Sequence, residues 1–133
     1  MVRYGALTTM LLLLSLAGCG GAKDQPSAAD TATADAPAKP IDFATCAACH
    51  SVSAGQHGIG PSLAGVFGRK AGSLAGFDYS AAMKASGKVW DEATLDTFLT
   101  SPMAAVPGTR MTYMGQSDPV KRKAVIEYLK TLK

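Results

Sequence analysis

Cys46-Ala47-Ala48-Cys49-His50 is the stretch on which the reading of this chain turns. Two thiols separated by two residues can each add to one of the two vinyl groups of a haem, and the adjoining imidazole then stands ready to bind the iron. At the level of the motif three other readings compete: a redox dithiol, half of a zinc site, and a chance match. A dithiol oxidoreductase sets its two cysteines in a strand–helix context, which the flanking residues lack. A zinc site needs four ligands, and outside the motif the chain offers only Cys19 and His57 as Cys or His.

Toward the N-terminus the sequence reads as delivery rather than fold. Arg3 is followed by an apolar run from Ala6 to Leu14 and then by small residues. That pattern predicts a secretory signal over residues 1–18, too short and wrongly flanked to span a bilayer permanently. It ends in Leu16-Ala17-Gly18-Cys19, which resembles a bacterial lipobox, so Cys19 is expected to become the first mature residue and to carry acyl chains. The alternative is an ordinary signal cut near Gly18 or Ala22, with Cys19 discarded or left as a stray thiol. Several acyl chains anchor a protein durably where one binds only reversibly. Residues 19–40 are almost wholly small, polar or Pro and show no apolar periodicity, which predicts a flexible tether. About 20 such residues span roughly 25 Å on average.

The remaining segment, 41–133, is the expected folded domain, of a size at which an unaided core is thin. Its ten Lys and Arg stand against seven Asp and Glu, the same +3 as the whole chain. So mild a charge makes no case for nucleic acid. Pro40 suits the first turn of a short helix leading into the two Cys. The Gly- and Pro-rich run from Ser51 to Gly76 predicts a long loop wrapped around something. Ser80–Ser86 predicts a short helix closed by Gly87. Asp91 suits the N-cap of a helix over Glu92–Thr100, with Leu95, Phe98 and Leu99 on one face and Pro102 just past its end. Asp118-Pro119 starts a last helix with an apolar stripe of Val125, Tyr128, Leu129 and Leu132. No strand pattern competes. The fold class read from this pattern is all-α, three or four short helices with long loops, and a haem would supply the apolar body that the side chains lack. A helical domain that completes its core by oligomerising is the alternative.

Five further stretches carry a resemblance: Gly60-Pro61-Ser62-Leu63, Gly65-Val66-Phe67-Gly68-Arg69-Lys70-Ala71-Gly72, Gly76-Phe77-Asp78-Tyr79-Ser80, Trp90, and Pro107-Gly108-Thr109-Arg110-Met111. In this order and spacing, from Cys46 to the C-terminus, the chain resembles the class I cytochromes c. The resemblance implies a cytochrome c-like fold around one covalently bound haem c. It makes Cys46 and Cys49 the thioether positions and His50 the proximal iron ligand. Met111 matches the distal methionine, with Met114 as runner-up. Pro61 matches the proline whose carbonyl takes the second nitrogen of the proximal His, a contact that fixes the ring and raises its basicity. Arg69, Tyr79 and Trp90 match positions that hydrogen-bond a buried haem propionate, against the alternative of a surface Arg and two core aromatics. The pattern gives His57 no iron role, and it is expected to be a solvent-exposed loop residue.

The chain also departs from the pattern. Phe98 stands where many relatives place a Tyr that hydrogen-bonds the methionine sulfur, and Met83 stands where many have Asn. Both changes make the distal side more apolar, which disfavours the extra positive charge of ferric iron. Thr45, Met103 and Ala104 occupy three positions that are lysines in mitochondrial-type relatives, and Arg110 alone keeps its charge there. Docking is therefore expected to be more apolar and less salt-dependent. The helix before Cys46 looks too short for the usual crossing with Val125, Tyr128 and Leu129.

The implied function is a monomeric single-haem electron carrier, not an enzyme, on the periplasmic side of a Gram-negative envelope and membrane-anchored through Cys19. Its expected partners are redox proteins: a donor such as a cytochrome bc-type complex and an acceptor such as a terminal oxidase or reductase. The alternatives are a dedicated electron-transfer subunit of one larger redox complex, or a haem sensor or peroxidase with a labile distal Met.

Overall fold

The computed structural model describes residues 37–133; the expected signal, Cys19 and nearly all of the tether lie outside the described residues. Among the described residues five helices follow one another: α1 Phe43–Ala47, α2 Ala81–Ala85, α3 Glu92–Thr100, α4 Pro102–Ala105 and α5 Pro119–Thr131. No helix among them is long and apolar enough to cross a membrane.

Local chemistry sets the boundaries. The Asp91 carboxylate accepts from the Thr94 N–H at 2.7 Å and opens α3, and Asp118 accepts from Val120 and Lys121 to open α5, with Pro119 in the first turn. Ser80 Oγ accepts from the Met83 N–H and does the same for α2. Pro102 pushes Ser101 into an extended conformation (φ −159°, ψ 94°) and so stops α3. It then opens a helix of its own, α4, which the sequence pattern does not signal; the helix count is therefore five rather than three or four.

The core lies where α1, α3 and α5 meet. Leu95, Phe98 and Leu99 of α3 face Val125, Ile126 and Leu129 of α5, and all are buried. The buried set of α5 begins at Arg122, a charged residue ahead of the expected apolar stripe, while Tyr128 and Leu132 of that stripe are only partly buried. Short as it is, α1 does reach α5. Phe43, 1% exposed, meets the Tyr128 ring edge-on at 4.7 Å, and Asp42 pairs with Lys121 at 3.5 Å. One large aromatic thus makes the crossing for which the helix looked too short.

The long loop between α1 and α2 is held by backbone bonds to distant partners. Gly65 N–H donates to Leu132, Gly68 N–H to Trp90, Trp90 N–H to Arg69 and Ala71 N–H to Lys88. Around these bonds Lys70 and Val89 form an isolated antiparallel bridge. Such bonds satisfy loop polar groups that the core would otherwise leave unpaired.

Candidate haem site

Cys46, Cys49 and His50 are placed by the end of α1. The helix turn continues past Ala47, because the Cys49 and His50 N–H groups both donate to the Cys46 carbonyl, at 3.1 and 2.9 Å. The thiols are free and half-buried. Burial, more than the neighbouring Cys49, pushes the Cys46 thiol above its ordinary range.

The His50 ring is oriented from one side. Its Nδ1 lies 2.7 Å from the Pro61 carbonyl oxygen, so the ring donates there and leaves Nε2 with a free lone pair. Gly60 makes the approach possible, since a Cβ at that position would overlap the imidazole. The Pro61–Leu63 segment is itself gripped closely. Ser62, 1% exposed, donates through Oγ to Ser53 O at 2.7 Å and accepts from the Ala64 N–H at 3.2 Å.

Arg69 belongs to the same construction. Its guanidinium donates to Ala64 O at 2.8 Å and Ser62 O at 3.0 Å, which leaves further donors of its fork available. Backbone pairing sets Arg69 beside Trp90, which is buried and lies 4.8 Å from the Phe98 ring. Burial raises the Tyr79 phenol and lowers the Arg69 guanidinium, and their mutual proximity opposes both shifts. Arg69, Tyr79 and Trp90 are therefore brought to one region, with the polarity that an inward carboxylate requires.

On the opposite arm Val106–Thr109 forms a β-turn in which the Thr109 N–H donates to Val106 O at 3.0 Å and Gly108 takes φ 89°. The buried Thr109 then accepts from the Met111 N–H through Oγ1 at 3.3 Å. Met111 is partly buried and packs against the core; Met114 is 91% exposed. Beyond them Gln116 N–H donates to Leu99 O at 2.8 Å. Arg122 holds Gln116 O and Ser117 O at 2.9 Å each, and pairs with Asp96 at 2.8 Å. Phe98 and Met83 are both buried in the apolar cluster against which Met111 packs.

The donor set, one imidazole oriented by a carbonyl and one thioether on a separate arm, suits a six-coordinate haem iron. Comparison with known proteins points the same way. A profile of the family described as "Cytochrome c" matches residues 34–133. Cytochrome c2 iso-2 of Magnetospirillum molischianum is 55% identical over 100 residues, 75% of this chain and all of that protein. Cytochrome c2 iso-2 of Magnetospirillum fulvum is 53% identical over 93 residues, covering 70% of this chain and 97% of that one. The chain belongs to the cytochrome c family. A solved structure of cytochrome cH from Methylobacterium extorquens, 48% identical, superposes with a TM-score of 0.64 over 67% of this chain and 90% of that one. This cytochrome is accordingly a monohaem electron-transfer protein with one covalently bound haem c, and not an enzyme.

Four residues of the site were not assigned from sequence. Ser62 and Thr109 fix backbone by hydroxyl bonds that no motif announces, and Arg122 reads as helix surface until its carbonyl partners are seen. His57 is the fourth, and its placement corrects an expectation. It is half-buried rather than solvent-exposed: its Nδ1 accepts from Ser62 N–H and its Nε2 donates to Ala75 O, both at 3.2 Å, with the ring edge-on to Phe77. Ala75 and Phe77 receive it, and the composition of the loop does not signal that contact.

Proposed function

We propose that Cys46 and Cys49 would form the two thioethers and that His50 and Met111 would bind the iron. Arg69, Tyr79 and Trp90 would hold an inward propionate. When bound, the haem supplies a one-electron ferric–ferrous couple. The chain's own part is to limit rearrangement between the two oxidation states. His50 is steadied by Pro61, and Met111 by the Thr109 hydroxyl and the Val106–Thr109 turn. The observation that carries the ligand reading is the 2.7 Å contact of His50 Nδ1 with Pro61, because it commits Nε2 to the iron side. The packing of Met111 against the core, beside a Met114 turned to solvent, favours Met111 as the sixth ligand.

The protein's role is to shuttle electrons between membrane-associated respiratory complexes in the periplasm, a bc-type donor and a terminal oxidase or reductase being the partners that fit. Residues 1–18 serve as the signal, Cys19 carries the lipid, and 19–40 tether the 41–133 domain, which raises its local concentration near those partners. Docking is apolar. Thr45, Met103 and Ala104 are exposed and uncharged, and Arg110 spends its charge on Asp78 at 3.0 Å.

Absorption spectra and midpoint potentials of wild type, Met111→Ala and Met114→Ala test the ligands. Met111→Ala is expected to lose the methionine–iron charge-transfer band and lower the potential, and Met114→Ala to leave both unchanged. The reverse result would move the ligand to Met114. For the tether, Cys19→Ala should release the protein from membranes and slow respiration through it; unaltered respiration would sink that part.

A further inference from the structure

His50 and His57 hold opposite ends of one peptide group. The Pro61 carbonyl oxygen lies 2.7 Å from His50 Nδ1, and the N–H of that same peptide, on Ser62, donates to His57 Nδ1 at 3.2 Å. Since His57 Nδ1 accepts, its hydrogen sits on Nε2 and is donated to Ala75 O. Among the described residues these two histidines are the hydrogen-bond partners of the Pro61–Ser62 peptide; Arg69 grips the next carbonyl, that of Ser62. A peptide is conjugated from nitrogen to oxygen. An acceptor on its N–H therefore increases the negative charge on its carbonyl oxygen, and hydrogen bonds in a chain strengthen one another.

We infer that His57 is a positioning residue for the proximal ligand, acting through the Pro61–Ser62 peptide to fix the His50 ring and to raise its basicity toward the iron. This rests on the reading of His50 as an axial ligand. A more basic imidazole favours ferric iron, so His57 holds the midpoint potential down while the apolar distal side pushes it up. His57 also joins the 51–62 loop to Ala75, so a purely structural clip is the reading to exclude.

Three substitutions in the intact holoprotein separate the two. His57→Asn can place a side-chain oxygen where Nδ1 stands, keeping the Ser62 bond and losing the Ala75 bond. His57→Gln can place a side-chain nitrogen where Nε2 stands, keeping Ala75 and losing Ser62. His57→Leu loses both. The midpoint potential is expected to rise in Gln and Leu and to stay near wild type in Asn, with exchange of the Ser62 amide hydrogen roughly tenfold faster in the first two. Equal potentials in Asn and Gln, with thermal stability lowered in both, would overturn the inference and leave a clip. The Asn–Gln pair decides even where the Leu variant fails to mature. A His50→Ala protein with an unaltered low-spin spectrum would instead undermine the reading of His50 as an iron ligand, independently of the His57 series.

Discussion

The arm that carries His50 and the arm that carries Met111 are built by opposite means. The proximal arm is short-range: Cys46, Cys49, His50, Gly60 and Pro61 lie within sixteen residues and are joined by hydrogen bonds to backbone. The distal arm is placed from far away, by Leu99 of α3, by Arg122 of α5 and by Asp78 of the long loop. One proposed ligand is therefore set by local chemistry and the other by the packing of the whole domain. Damage to the core is expected to loosen Met111 before it reaches His50.

The largest effect tests the proximal arm. Gly60→Ala drives a Cβ into the His50 ring, which is backed by Pro61 and cannot withdraw without breaking its hydrogen bond. Overpacking of this kind costs about 1–3 kcal/mol in an ordinary core, and here the displaced group is the proposed ligand itself. The yield of haem-loaded protein is expected to collapse; a normal low-spin spectrum at wild-type yield would show that the arm is softer than described. Next comes the distal arm. Arg122→Leu removes the donors of Gln116 O and Ser117 O and leaves Asp96 without its partner. Asp96 is about half exposed, so the cost falls below that of a fully buried pair, at about 1–3 kcal/mol. The methionine–iron band should weaken on warming at temperatures where the His50 side is intact. Loss of both ligands together would erase the contrast between the arms.

The same contrast explains what could be read from sequence. The Cys46–His50 motif has a spacing that chemistry dictates, and the resemblance adds Pro61, whose carbonyl the structure sets against His50 Nδ1. The helix starts at Asp91 and Asp118 were legible too, because a cap is a local event. Arg122 was not, since its partners lie five, six and twenty-six residues away. The burial of His57 is hidden for the same reason: Ala75, eighteen residues on, cannot be seen from a loop composition. The α1–α5 crossing depended on one ring, Phe43, meeting Tyr128, which helix length does not report.

A smaller effect is expected at the distal surround. Phe98 is buried against Trp90 and offers the methionine no hydrogen bond. Phe98→Tyr adds a hydroxyl at a buried position, so stability should change by less than about 1.5 kcal/mol where the hydroxyl finds a partner and fall further where it does not. A hydroxyl that donates to the Met111 sulfur would draw electron density from it and raise the midpoint potential, whereas one that only makes the surroundings more polar would lower it. An unchanged potential would show that Phe98 does not set it, with Met83 the next residue to test.

The smallest effect concerns the surface beside the distal arm. The Arg110 hydrogen bond, followed by its charge, holds the Asp78 carboxyl below the usual carboxylate range. A depressed carboxyl keeps its pairing above its ordinary value of 3.8 and loses it only as pH falls through the lowered one. Arg110 therefore stays neutralised across the whole neutral and mildly acid range. Asp78→Asn should leave thermal stability nearly unchanged, because the carboxylate is fully exposed, yet free the Arg110 charge. Oxidation by hexacyanoferrate, an anionic probe, is expected to become faster at low ionic strength and steeper in its salt dependence. Glu127→Gln makes the same change in net charge on α5 and provides the control. If both variants respond alike, the probe reads overall charge and the cations paired with Asp78 have no special place at the docking edge; if only Asp78→Asn responds, the weak salt dependence expected of this cytochrome is a local property of the pairing of Asp78 with Arg110 and Lys84.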